Sequence, residues 1–121
     1  MDKTYQAKQV IVMRKDLNMR KGKMISQGAH ASLGAYKIAD KTDPAFIAWD
    51  TGQFAKITVY VESEQELLDV HNNALAAGLT SYLITDAGYT EFNGVPTKTC
   101  LCIGPAWISD VNVITGHLKL L

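Results

Sequence analysis

The chain has 121 residues, enough for one domain with a real core and no need of staples. With 47% hydrophobic and 20% charged residues, it has the profile of a soluble globular protein, not of a disordered or fibrous one. Twelve Lys/Arg balance twelve Asp/Glu, a zero net charge that by itself argues against a nucleic-acid partner.

The first residues are too polar for a signal peptide, and no apolar run approaches membrane-spanning length. A cytoplasmic protein without membrane contact is therefore expected, with residues 1–7 as a flexible lead-in. Val10-Ile11-Val12-Met13 reads as a buried strand. A basic loop follows, then a helix from about Gly22 to Ala39. On that helix Ile25, Ala29, Ser32, Leu33 and Tyr36 share one side, while Lys23, Gln27, His30 and Gly34 form a narrow stripe opposite. Asp43-Pro44 is an N-cap followed by proline at the first helical position, opening a short helix that Gly52 closes.

Residues 55–61 form a second strand by composition and partial alternation. Ser63-Glu64-Gln65-Glu66 is a capping box, and its helix is expected to end at Gly78. The third strand spans Ser81 to Thr85 and ends at Asp86. The fourth, Thr99 to Ile103, is expected to stop at Gly104-Pro105, before a last helix around Ser109–Ile114. With no repeat or linker, residues 1–121 read as one domain. Strands alternating with helices predict a three-layer α/β/α sandwich around a four-stranded mixed, mainly parallel sheet. The link between strands three and four is too short for a helical crossover, which leaves that part open to antiparallel pairing. Cys100 and Cys102 share one strand face, poorly placed for a disulfide or a metal pair, and read as small buried hydrophobes. His71, beside Asn72 and Asn73, reads as a surface residue.

The charge is unevenly spread. Residues 1–30 hold seven Lys/Arg against two Asp, a charge of +5 that leaves −5 for residues 31–121. Arg14, Lys15, Arg20, Lys21 and Lys23 lie at or before a helix N-terminus, where cations oppose the helix dipole. Free N–H groups with nearby Lys/Arg make an anion site at the carboxyl edge of a strand. On charge alone, solvated loop residues explain the same pattern. The stripe Lys23, Gln27, His30 and Gly34 is either the wet side of the helix or a substrate face. Gly28 and Gly34 cost roughly 1 kcal/mol each relative to alanine in a helix, so something must pack closely there. Asp86 at a strand end is either a turn residue or, with the hydroxyls of Thr90, Thr97 and Thr99, a group that orients water. No nucleophile elbow, carboxylate pair or metal-ligand spacing is present. From residues alone, this is a small α/β protein with an anion-seeking edge.

Met19-Arg20-Lys21-Gly22-Lys23, then Gln27 and His30-Ala31, resembles the signature of type-II peptidyl-tRNA hydrolases. The resemblance continues through Trp49, Gly52-Gln53, Gly78-Leu79, Asp86-Ala87-Gly88 and Thr90 to Ile103-Gly104-Pro105 and Thr115-Gly116-His117-Leu118-Lys119-Leu120. It implies a metal- and cofactor-free enzyme that hydrolyses the ester between a peptide and tRNA, often as a homodimer. The catalytic set implied is Lys23, Asp86, Thr90, Thr99 and His30, with Arg14, Lys15, Arg20, Lys21 and Gln27 on the tRNA. Two departures stand out. One extra residue lies between Gln53 and Lys56, and the segment 91–97 is about one residue longer than the family's, with Pro96 where glycine is usual. Counting back from Ile103 places the second threonine at Thr99; Thr97 is the alternative. A non-catalytic RNA-binding protein on the same scaffold is the rival expectation, and a hydrolase of small esters or amides without RNA is a second.

Overall fold

A computed structural model describes residues 6–89 and 91–121. In chain order these form β1 (Ala7–Arg14), α1 (Lys21–Ile38), α2 (Pro44–Thr51), β2 (Lys56–Val61), α3 (Glu64–Ala76), β3 (Ser81–Asp86), β4 (Thr97–Trp107) and α4 (Ile108–Thr115). Local chemistry accounts for the boundaries of α2 and α3. Asp43 accepts from the Ala45 N–H, and proline leads α2. Ser63 accepts from the Glu66 N–H at 3.0 Å. Gly78, at φ +77, follows the last turn of α3.

The strands lie in the order β2-β1-β4-β3. The sheet is mixed, but the expectation of mainly parallel pairing is not met. β1 pairs parallel with β2, whereas β4 pairs antiparallel with both β1 and β3. Three strands do run the same way, as alternating strands and helices require. The hairpin-like return after β3 then slots β4 between β1 and β3 and makes two of the three pairs antiparallel. This puts the carboxyl ends of β1 and β3 and the start of β4 at one edge of the sheet.

β4 is also longer than expected. It does not stop at Gly104-Pro105, because the ladder with β1 slips between Lys8 and Val10, and Ala106 and Trp107 then pair with Lys8 and Ala7. Pro105, which has no N–H to donate, falls at this irregularity, where proline is tolerated in a sheet. Ala7 thus belongs to a strand and not to a lead-in. The rest of the expected lead-in, apart from Gln6, lies outside the described residues.

Helices cover both faces of the sheet. On one, Val10, Val12, Leu101 and Ile103 meet Leu67 and Val70 of α3 and Val111 of α4. On the other, Ile11, Met13, Cys100 and Cys102 meet Ala31 and Ala35 of α1. α2 lies beside α1, with Phe46 5.4 Å and Trp49 6.2 Å from the Tyr36 ring. Burial pushes the Cys100 thiol up to about 11 and raises that of Cys102 further, as expected for packed, unreactive cysteines.

α1 turns a different side to the core than its apolar stripe suggests. Gln27, Gly28, Ala31 and Ala35 are buried, whereas Ile25 is 73% and Leu33 60% exposed. Ile25, Leu33 and Tyr36 instead line an open groove of about 900 Å3 with Trp49 and Phe54. Small residues win the core face because they let the helix approach the sheet. A Cβ on Gly28 would already stand 3.6 Å from the Ile11 side chain.

His71 is half-buried rather than on the surface, and its Nδ1 lies 2.7 Å from the Ser81 hydroxyl. Burial holds its pKa below the ordinary 6.5. The unfolded chain therefore binds more protons as pH falls through that value, so stability is full above it and declines below it. Urea unfolding between about pH 7.5 and about pH 5 should show a falling midpoint, and His71→Gln should flatten that fall. An unchanged slope would show that His71 does not carry it.

Candidate active site

The Lys23 side chain leaves the first turn of α1 and its Nζ donates to Asp86 Oδ1 at 2.9 Å. The two side chains are only 13% and 16% exposed. One turn along, Gln27 is buried and its Nε2 lies 3.4 Å from the same carboxylate oxygen. Gln27 Oε1 accepts from the Thr99 hydroxyl, which is fully buried at the start of β4. The second carboxylate oxygen accepts from the Gly88 N–H at 2.9 Å. Gly88 sits at φ +88, and a Cβ there would stand 2.2 Å from the Val95 carbonyl oxygen, so glycine is what allows this turn. Helix, strand end and returning strand thus converge on one carboxylate.

These donors set its charge. Hydrogen bonding from Lys23, reinforced by the Gly88 N–H, the Lys23 charge and Gln27, holds Asp86 below the usual carboxylate range despite partial burial. Asp86 is an anion at neutral pH and a weak base, suited to holding a water rather than to stripping it of a proton outright.

The two threonines take different places. Thr97 lies opposite Asp86 in the ladder, but its hydroxyl donates to the Val95 carbonyl within its own loop, whereas Thr99 joins the Gln27–Asp86 network. Thr90 lies outside the described residues. His30 is exposed, two helical turns beyond Lys23, and lines a smaller pocket that ends at Asp86. Thr99→Val would leave the buried Gln27 Oε1 without its donor, at a cost of about 1–3 kcal/mol. A lower urea midpoint and reduced kcat are expected, with Thr97→Val close to wild type in both. Equal effects of the two variants would reverse the order of the threonines.

The basic residues separate. Arg14 is engaged in structure, donating to both Asp16 oxygens at 2.7 and 3.1 Å and to the Lys98 carbonyl. Lys15 stands 4.5 Å from the Tyr60 ring centroid. Lys21 borders the apolar groove on the far side of α1. Arg20, 80% exposed, pairs with Glu91 at 2.8 Å. That pairing holds the Glu91 carboxyl below its ordinary range and ties the loop after β3 to the start of α1. The same loop lays the Phe92 ring with its centroid 5.9 Å from Lys23 Nζ. Gln27, expected on tRNA, is buried and faces Asp86 instead. Sequence reasoning missed Glu91 and Phe92, and the one available signal was an acid in the long loop facing a basic segment. No three His, Cys, Asp or Glu side chains among the described residues stand close enough to hold a metal ion.

The family model described as peptidyl-tRNA hydrolase PTH2 matches residues 7–121. A peptidyl-tRNA hydrolase of Methanocaldococcus jannaschii is 43% identical over 94% of this chain and 99% of its own length. The chain belongs to the PTH2 family. A second relative, the peptidyl-tRNA hydrolase of Halobacterium salinarum, is 49% identical over 93% of this chain and 98% of its own. The probable peptidyl-tRNA hydrolase 2 of Dictyostelium discoideum is 44% identical, and there the chain spans about half of the relative's length (54%). The solved structure of a protein of unknown function from Agrobacterium tumefaciens superposes over 97% of this chain and 98% of its own, with a TM-score of 0.65. At 12% identity, that likeness concerns the fold alone. No helix among the described residues is long and apolar enough to cross a membrane.

Proposed function

We propose that this PTH2 protein, acting as a single domain in the cytoplasm, hydrolyses the ester joining a peptide to the 3′ end of tRNA. The observation that carries the reading is the Lys23–Asp86 pair at 2.9 Å, largely sheltered at the sheet edge and braced by Gln27 and Gly88. A carboxylate that holds a water and an ammonium that meets the developing oxyanion are what attack on an activated ester needs. Asp86 positions the water and takes up part of its proton as the water oxygen bonds to the carbonyl carbon. Lys23 lies against the carbonyl oxygen as negative charge gathers there. Collapse of that intermediate expels the ribose oxygen, which regains a proton from the Asp86–water system. Thr99 acts through Gln27, holding its amide toward Asp86, and Thr90 is proposed as a further hydroxyl near the water. His30 faces the ribose side of the ester.

Arg20 and Lys21 are the proposed phosphate contacts, with Lys15 beside them. Glu91 takes the Arg20 Nε–H, and the exposed guanidinium keeps further N–H donors to offer a phosphate. Arg14 supports the loop that presents them. A homodimer belongs to the same proposal, and sedimentation measures it. The decisive assay incubates the protein with N-acetyl-aminoacyl-tRNA and, separately, with the N-acetyl-amino-acid methyl ester. Release of free tRNA, with little cleavage of the methyl ester, is expected. Binding of tRNA without cleavage would favour an RNA-binding protein, and equal turnover of both esters a general esterase.

A further inference from the structure

Beside Asp86, on the β3 flank of α1, lies a second pocket of about 400 Å3, within the size range of small-ligand sites. Its wall on the sheet side is the Tyr82 ring and Ile84. Its helix side runs from Gln27 past His30 and Gly34 to Lys37. Gly34 makes this shape. A Cβ at that position would stand 2.4 Å from two Tyr82 ring carbons, so only glycine lets the ring lie against the helix. Asp86, at the reactive end, is the one carboxylate in the wall among the described residues. The far end carries Lys37, ~15 Å from Gln27 at the helical rise of ~1.5 Å per residue. The pocket therefore offers an aromatic ring packed beside Gly34, a histidine, and a cation at the end away from the ester-cleaving pair.

We infer that this pocket receives the terminal nucleotide of the tRNA, its base against Tyr82 and its phosphate toward Lys37. The inference rests on the ester-hydrolase reading and adds the subsite that orients the leaving group. Aromatic rings take bases of any kind by stacking, and a lysine at a groove end meets a phosphate as a point charge. A peptide of arbitrary sequence fits this pocket poorly, because its side chains include anions, cations and bulky apolar groups alike. The apolar surface near the site lies on the opposite flank of α1, beyond Leu33.

The probe is adenosine 5′-monophosphate, whose binding to the whole protein is followed by calorimetry and by competition against N-acetyl-aminoacyl-tRNA cleavage. Tyr82→Leu should weaken binding and raise KM about tenfold, the loss expected for one base–aromatic stack, with kcat little changed. Tyr82→Phe should keep wild-type values. Lys37→Gln should weaken the monophosphate and leave adenosine unaffected. The residual cleavage of the N-acetyl-amino-acid methyl ester, which has no nucleoside, should be indifferent to all three. Undiminished nucleotide binding in Tyr82→Leu and Lys37→Gln would overturn the subsite, and so would an equal penalty on the methyl ester. If Tyr82→Leu does not fold, the exposed Lys37→Gln and the nucleoside–nucleotide comparison decide. Because nucleotide binding is read without turnover, absence of tRNA cleavage by the wild type would refute the hydrolase reading alone.

Discussion

Replacing Asp86 with Asn is expected to lower kcat for peptidyl-tRNA cleavage by about a thousandfold, within the range for loss of a positioned general base. The substitution keeps shape and leaves an oxygen for the Gly88 N–H, so circular dichroism should show the fold intact. The amide cannot take up a proton from water, which is why the loss falls on kcat and not on KM. In the wild type, Lys23 holds the Asp86 carboxyl below its ordinary 3.8. Asp86 is therefore ionised, and active, above its lowered pKa. The acid limb of kcat/KM should lie below the usual carboxylate range, with activity lost only as pH falls through the lowered value. Undiminished turnover in Asp86→Asn would remove Asp86 from the chemistry.

Lys23→Met should cost a similar amount for a different reason. A unit charge ~4 Å from the oxyanion at an effective dielectric of about 20 is worth roughly 4 kcal/mol, or about a thousandfold in rate. The same substitution removes the first of the groups that hold the Asp86 pKa down. The residual activity of Lys23→Met should therefore show its acid limb at higher pH than wild type. A fall in rate with an unmoved limb would place Lys23 on the substrate but not on Asp86. Together the two variants separate an ammonium that stabilises charge from one that merely fixes the carboxylate. Because they share one ion pair, the double variant should lose far less than the product of the single losses.

Much of the frame was legible because its signals are local. Asp43-Pro44, Ser63 with Glu66, and Gly78 mark helix ends through bonds within one turn, and α2 and α3 begin or end beside them. The four strands were legible as apolar or β-branched runs. Lys23 and Asp86 were legible as candidates because the family signature preserves their context. The orientation of α1 was not, because periodicity groups apolar residues without saying which small face the sheet will accept. Gly28, Ala31 and Ala35 took the core and left Ile25 and Leu33 in the open groove.

Composition and spacing determined the fold class, the helix boundaries and the presence of a basic segment before a helix that carries Lys23. Pairing direction had to await the sheet: β4 slots between β1 and β3, an arrangement no strand encodes alone. The burial of Gln27 depends on Thr99, 72 residues away, and the position of Arg20 depends on Glu91, 71 residues away. Each is a bond between a helix and a segment the chain reaches only after crossing the sheet. Local preference therefore wrote the elements and the charge, while long-range packing chose which of the polar residues meet at Asp86 and which remain on the surface.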